Sequence, residues 1–241
     1  MSHAQEHNVE AQQPEKVYSG GAPTSRAVTP GGHPVDTSQP AFPVYHRKIA
    51  NPAPLGLFAF ATTTYCLSLH NVGARGVSEP NFVVGLAFFY GGGAQAIAGI
   101  FEFIVGNTFG ATAFLSYGAF WMAYGAFFVP SFGIAEAYAA DEAMLTNGLV
   151  LWLSAWGIVT FLLLIASLRS SLALVSVFFF LDITFWLLVA ADATGNETVL
   201  TAAGSFGLIT AACAWYTGTA SLLSPDAAYF TLPTGDLSRK D

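Results

Sequence analysis

The chain has 241 residues, of which 54% are hydrophobic and 10% are charged, and its formal net charge is −7. A soluble domain carries about 25% charged residues because its surface must be solvated, so this composition argues against a soluble protein. The acidic balance and the lack of a basic patch argue against nucleic acid as a partner. We therefore expect an all-α integral membrane protein.

The first fifty residues differ from the rest of the chain. Residues 1–50 are rich in Pro, Gly, Ser, Thr and Gln and have few aliphatic side chains. Such a segment cannot bury enough apolar area to offset the entropy lost on ordering, so we predict a disordered cytosolic tail. It contains no apolar signal segment, so we expect the first apolar helix to direct insertion.

Six apolar runs follow, and most reach the ~20 residues needed to cross the hydrocarbon core. They lie at 54–69, 82–105, 111–129, 148–168, 172–191 and 199–223. The first run is short and contains three consecutive threonines, but Asn51 can cap it and Pro52 suits a helix start. We predict a six-helix membrane domain at 51–224 and a short cytosolic C-terminal tail at 225–241.

The positive charges near the predicted helix ends indicate the orientation. In a six-helix arrangement one side carries Arg47, Lys48, Arg169, Arg239 and Lys240, whereas the other has Arg75 among acidic residues. The side rich in Lys and Arg is cytoplasmic, so we expect both termini in the cytosol. A sequon at Asn196 falls on the outer side, too close to the flanking helices for us to expect glycosylation.

The second apolar run carries two stripes at intervals of seven residues. Small residues form the first stripe, at Gly85, Gly92, Gly99 and Gly106. Such a stripe favours close helix packing, so we expect a packing ridge. Beside it run Asn81, Phe88, Gln95 and Glu102. Functional and structural interpretations of Gln95 and Glu102 both remain open, and Glu102 lies near the cytoplasmic end, where its side chain can reach the interface.

A second carboxyl group, Asp182, lies near the middle of the fifth run. A charge at that depth costs ~2.5–3.5 kcal/mol on insertion scales. The group must find partners or take up a proton, since desolvation favours the neutral form. A neutral, hydrogen-bonded residue and a proton-coupling site are both consistent with this position, and Glu102 is the other candidate for proton coupling.

Polar and aromatic side chains could line a pathway between the helices. Tyr117, Trp121 and Tyr124 share one face of the third helix, which suits either core packing or a lined path. Thr64 in the first helix is a further candidate for lining. His70 and Asn71 end that helix on the outer side, where a pathway mouth and an interfacial anchor are both open.

The sequence contains no HExxH, no GxSxG and no phosphate-binding loop, and its histidines are scattered. We therefore expect no catalytic residue, no metal and no cofactor, and do not expect an enzyme. No Lys or Arg falls within a predicted span. An anion crossing here would depend on hydroxyls, amides and helix N-termini, which favours a small, weakly held or protonated anion.

Four motifs now point to a family. Residues 51–57 read NPAPLGL, 69–73 read LHNVG, 89–92 read FYGG with Gln95 after them, and 106–110 read GNTFG, followed by Ser116-Tyr117-Gly118. This set resembles the acetate uptake transporters, which include bacterial succinate–acetate permease and its fungal relatives. The similarity covers roughly residues 47–235.

The resemblance implies a hexameric ring of six-helix protomers in the plasma membrane, each with an hourglass-shaped path for acetate or similar carboxylates, usually coupled to protons. The family's narrow point corresponds to Phe60, Tyr117 and Leu181. Further lining and binding candidates are Asn51, Thr64, Asn71, Gln95, Trp121 and Tyr124. A passive, channel-like pore and an ammonium exporter or membrane sensor remain as alternatives.

Overall fold

The computed structural model describes residues 49–225 and 228–238. The predicted disordered tail at 1–50 therefore lies almost entirely outside the described residues. So do four of the five basic residues that indicate the orientation, namely Arg47, Lys48, Arg239 and Lys240.

The described part of the chain is all-helical, as the sequence predicts. Its six long helical segments are α1 (Ala53–Asn71), α2 (Pro80–Ile104), α3 (Thr108–Ala126), α4 (Glu142–Ser167), α5 (Leu172–Thr194) and α6 (Glu197–Leu222). Short helices at Ala74–Gly76, Pro130–Phe132 and Ile134–Ala137 lie in the connections. Among these residues the backbone forms no strand, only an isolated bridge between Ser171 and Asp236.

Four of the long segments have the length and composition to cross a membrane: Pro80–Ile104, Ala143–Ser167, Leu172–Thr194 and Glu197–Leu222. The other two, α1 and α3, have 19 residues each and more polar and small side chains. Both bury about half of their residues among the other helices. A helix shielded by its neighbours can carry such side chains because little of it faces lipid. For α1 and α3, a membrane crossing stays a prediction.

The six long segments pack against one another in pairs. Helix α1 packs against α2 and α6, α6 packs against α5, α5 against α4, and α2 against α3. Aromatic contacts join α3 to α4, including a stacked pair formed by Phe120 and Trp152 with ring centroids 4.9 Å apart. The buried core takes most of its side chains from α1, α2, α3 and α5.

Side-chain caps explain where several helices begin. The Asn51 side-chain oxygen accepts from the Ala53 N–H at 3.1 Å, as the sequence predicts for a cap before Pro52. Helix α4 begins at Glu142 rather than at the predicted residue 148. The Asp141 carboxylate accepts from the Met144 N–H at 3.1 Å and starts the helix before the apolar run. At a helix N-terminus such a cap satisfies a free N–H.

Helix α2 is irregular, and this changes the predicted glycine ridge. Residues Phe89–Ala94 form a π-helical segment, in which each turn holds an extra residue. Gly92 and Gly99 lie against side chains of α3, but Gly85 has open space beside it and Gly106 follows the helix with φ of 82°. The four-residue ridge was wrong in extent. The helix ends before Gly106, and the π-helical segment changes the helical register between Gly85 and Gly99.

The chain after α6 returns to the start of α5. The Leu172 N–H donates to the Gly235 carbonyl at 2.7 Å, and the Leu237 N–H donates to the Ser170 carbonyl at 3.1 Å. The Tyr216 hydroxyl donates to the Pro233 carbonyl at 2.6 Å. We call Pro233–Leu237 the C-terminal strap. Part of the predicted tail is thus held against the helices.

Candidate functional site

Three cavities follow one another between the helices. The first has a volume of about 260 Å³ and extends from the start of α1 to its middle. The second is much smaller, about 40 Å³, and lies beyond the middle of α1. The third, of about 400 Å³, lies at the end of α1 and is lined partly by α4. Together they outline a path that is narrowest at its centre.

Three side chains line both the first and the second cavity: Phe60 of α1, Tyr117 of α3 and Leu181 of α5. Each is at most 5% exposed, and the ring centroids of Phe60 and Tyr117 are 5.4 Å apart. These are the three residues that the sequence predicts at the narrow point. The structure brings them together from three helices, and their role as a constriction remains a proposal.

A hydrogen bond holds Tyr117 in place. Its hydroxyl lies 2.9 Å from the Thr160 hydroxyl on α4, and Thr160 is fully buried. Sequence reasoning did not single out Thr160. The available signal was weak, because Thr160 is one of three hydroxyl residues within the apolar run at 148–168, and each needs a partner in lipid surroundings.

Several uncharged polar side chains line the first cavity, and one of them is unpaired. Gln95 is fully buried, and neither its amide oxygen nor its nitrogen has a hydrogen-bond partner among the described residues. Hydroxyls line the same cavity at Ser171, Thr217, Ser221 and Thr234. None of its described lining residues is Lys or Arg. An anion there would be held by neutral donors alone.

Glu102 also lines the first cavity, and it is only 2% exposed. The expectation that its side chain reaches the interface was wrong, because the start of α3 folds over it. The Asn107 side chain hydrogen-bonds to its carboxyl, and Gly110 packs beside that group. The Asn107 side chain also caps α3 by accepting from the Gly110 N–H at 3.0 Å. A carboxyl group therefore faces the first cavity.

Asp182 has a different position from Glu102. It neighbours Leu181 in the sequence, but it is absent from the described linings of all three cavities. The side chain of Trp186 hydrogen-bonds to its carboxyl group, while one carboxyl oxygen has no partner among the described residues. Its part in proton coupling stays a prediction.

A second narrowing separates the second and third cavities. The side chains that line both are Leu67, Asn71, Phe120 and Leu188. Asn71 is the one polar member of this set. The three apolar members were not expected from the sequence, where they resemble any other buried residue of a membrane helix.

The remaining predicted lining residues are distributed along the path. Thr64 and Trp121 line the second cavity, and Tyr124 lines the third. The Thr64 hydroxyl and the Trp121 indole N–H are buried without a hydrogen-bond partner among the described residues. Asn51 lies outside the described linings, and its amide donates to the Ser221 carbonyl at 3.3 Å beside the first cavity.

Comparison with known proteins identifies the family. Residues 35–239 match the profile of the GPR1/FUN34/yaaH family. The chain belongs to this family. The resemblance found from its motifs is therefore confirmed, and with its apolar helices the protein is a multi-pass membrane protein.

Relatives of this family member carry different names. Acetate permease A of Emericella nidulans is 47% identical over 197 residues, covering 78% of this chain and 66% of the relative. Ammonia transport outward protein 2 of Saccharomyces cerevisiae is 45% identical over 195 residues, covering 79% and 69%. The succinate-acetate/proton symporter SatP of Escherichia coli is 38% identical over 192 residues, covering 79% and 98%. The chain thus spans about two thirds of these fungal relatives and almost all of the bacterial one.

The fold is also similar to that of a solved structure. The bacterial acetate channel SatP matches with a TM-score of 0.70 and 39% sequence identity, covering 78% of this chain and all of that one.

Proposed function

We propose that this protein carries acetate and similar short-chain carboxylates across the membrane along the path formed by its three cavities. One observation carries the proposal: Phe60, Tyr117 and Leu181, predicted from the motifs as the narrow point, are the residues shared by the first two cavities. The names of the relatives, which include an acetate permease and a succinate-acetate/proton symporter, support the same substrate class.

The dimensions of the path favour a small substrate. The second cavity, of about 40 Å³, has room for roughly three water-sized groups at ~10–15 Å³ each. Acetate has four non-hydrogen atoms, so it suits this space better than a tricarboxylate does. Larger carboxylates would require the side chains around the second cavity to move.

The charges along the path favour coupling to a proton. A substrate carboxylate in the first cavity lies near Glu102, and none of the described lining residues offers a cation. Two carboxylates at close range cannot both remain ionised without a large penalty, so one proton shared between them stabilises the pair. We propose that Glu102 is the group that shares this proton with the substrate, with Asp182 as the second candidate.

The proposal includes an arrangement in the plasma membrane. Residues 51–224 form a domain that crosses six times, with the tails at 1–50 and 225–241 in the cytosol. Six copies assemble into a ring with one path in each protomer. The large apolar side chains exposed on α2 and α4, such as Phe89 and Leu151, suit contacts with lipid or with a neighbouring copy.

Two other functions have specific support. The likeness to an acetate channel favours passive conduction of acetate, in which apolar constrictions gate the path. The relative named as an ammonia transport outward protein favours ammonium export.

Reconstitution in liposomes separates the three functions. Labelled acetate and internal pH are followed together, with succinate as competitor. Proton-coupled uptake predicts that acetate accumulates with an inward proton gradient and that the lumen acidifies with it. Acetate entry that is indifferent to the gradient would favour the passive pore. Ammonium flux with no acetate entry would favour export and overturn the proposal.

A further inference from the structure

His70, near the end of α1, bonds through both of its ring nitrogens to oxygen atoms. Its Nε2 lies 3.0 Å from the Ser78 backbone carbonyl, and its Nδ1 lies 3.1 Å from the side-chain oxygen of Asn71. The imidazole also lines the third cavity. The ring is thus fixed between the loop after α1 and an amide on the path.

Because of the donor and acceptor chemistry of these partners, the orientation of the Asn71 amide depends on the charge of the His70 ring. A carbonyl oxygen only accepts, so His70 Nε2 must carry a hydrogen to bond to Ser78. A charged ring also has a hydrogen on Nδ1, which then donates to the Asn71 oxygen. A neutral ring has a bare Nδ1, which can only accept, and the Asn71 amide must turn its NH₂ toward it.

The residue that carries this amide also lines the path. Asn71 lines both the second and the third cavity, at the narrowing formed with Leu67, Phe120 and Leu188. With a charged ring the NH₂ group points to the path and can donate to a carboxylate. With a neutral ring the amide oxygen points there and repels a carboxylate. The charge of the His70 ring therefore determines whether the substrate carboxylate faces a hydrogen-bond donor or an amide oxygen of Asn71.

We propose that His70 is a positioning residue for carboxylate binding, acting through the orientation of the Asn71 amide. This inference rests on the proposed function, because it takes the substrate to be a carboxylate. Imidazole changes charge between about pH 5 and 8, so binding at this narrowing is stronger at acid pH. The site thus favours loading when the third cavity opens to an acidic solution.

Other titratable and charged groups lie near the ring. Tyr124 of α3 and Asp192 of α5 line the same cavity as His70. Arg75 and Glu79 are exposed on the connection that follows α1. Asp192 is itself titratable, so the experiment must distinguish its effect from that of His70.

Exchange of labelled acetate at equal pH on both sides of the liposome membrane needs no net proton movement. Formate, which stays anionic across the range, competes for the site. Between about pH 5.5 and 7.5 we expect the apparent affinity for formate to fall roughly fivefold, the effect of one hydrogen bond gained or lost. In His70→Gln, whose amide can still bond to Ser78, we expect exchange to persist and the fall to be less than about twofold.

Two further variants test whether the pH dependence acts through the Asn71 amide and whether Asp192 causes it. Asn71→Ala should lose the pH dependence of formate competition as well. If the apparent affinity for formate varied with pH in this variant as much as in the wild type, the role of the amide would be overturned. Asp192→Asn should keep the slope, and its loss there alone would assign the titration to Asp192. A wild-type slope in His70→Gln would overturn the proposal outright.

The ring can also be observed directly in the wild-type chain. We expect ¹⁵N NMR of histidine-labelled protein to show the Nε2–H tautomer at high pH and protonation at Nδ1 on acidification. The chain has five histidines, and His70 is the one that remains after the four at positions 3, 7, 33 and 46 are replaced. An Nδ1–H tautomer would overturn the proposal. Absence of acetate exchange in the wild type would instead contradict the proposed function.

Discussion

Tyr117 and Thr160 share a hydrogen bond, and the protein should lose different amounts of stability when one or the other partner is removed. The Thr160 hydroxyl donates its hydrogen to the Trp156 carbonyl at 2.8 Å. The bond of 2.9 Å between the two hydroxyls must therefore be donated by Tyr117. Tyr117→Phe removes the donor, and Thr160→Val removes the acceptor while keeping the shape of the side chain.

The two changes leave different groups behind. In Tyr117→Phe the Thr160 hydrogen stays bonded, so the loss is that of one neutral bond, about 0.6 kcal/mol on average in membrane proteins. In Thr160→Val the Tyr117 hydroxyl remains in a site only 3% exposed, without its acceptor. A buried donor left unpaired costs about 1–3 kcal/mol. We therefore expect Thr160→Val to be the more destabilising by about 1 kcal/mol.

The free energy of unfolding in detergent micelles, measured by denaturant titration, tests this order. The double variant should be close to Tyr117→Phe, since it leaves no unpaired donor. Thr112→Val is a matched control, because the exposed Thr112 hydroxyl donates to the Thr108 carbonyl at 2.8 Å. A loss in Tyr117→Phe equal to or larger than that in Thr160→Val would refute the assigned direction of the bond.

Three further predictions concern the path and the strap. Phe60→Ala and Leu181→Ala should each widen the junction of the first two cavities, so that succinate competes with labelled acetate more strongly. Unchanged selectivity in both variants would show that these residues do not form the narrow point. Glu102→Gln should abolish the dependence of acetate uptake on a pH gradient, because the neutral amide cannot carry the proton, whereas Asp182→Asn should retain it. Tyr216→Phe removes a hydroxyl that donates to the C-terminal strap at 2.6 Å, so hydrogen exchange at the start of α5 should rise by about twofold to fivefold.

One surface variant serves as a control for the transport measurements. Leu151→Ala alters an apolar side chain that is 72% exposed, so uptake and selectivity should stay as in the wild type. If Asp182→Asn rather than Glu102→Gln abolished the gradient dependence, proton coupling would belong to α5. Unchanged exchange in Tyr216→Phe would show that the backbone bonds of the strap suffice to hold it.

Hydropathy predicted which segments are helical better than it predicted where the helices begin and end. The apolar runs at 172–191 and 199–223 lie close to α5 and α6, because lipid-facing helices must be apolar over most of their length. The start of α4 was placed too late, since the polar residues of its first turn lie outside the apolar run. The π-helical segment Phe89–Ala94 has no signal in a heptad pattern. Together with the end of α2 at Ile104, it leaves two glycines outside the expected ridge.

The sequence by itself determined the class of the protein and its family. Scarce charge and repeated apolar runs require helices in lipid, and the motif at 51–57 is specific enough to indicate the relatives. It also indicated Phe60, Tyr117 and Leu181 as a set, although only through that resemblance.

Only the tertiary structure decided which side chains share a cavity. Glu102 and Asp182 are both intramembrane carboxyl residues in the sequence, yet Glu102 alone of the two is among the described lining residues of the path. Thr160 became relevant because α4 packs beside α3 and brings its hydroxyl to Tyr117. Hydropathy reports how each residue interacts with lipid or water, whereas a path depends on which faces of distant helices meet.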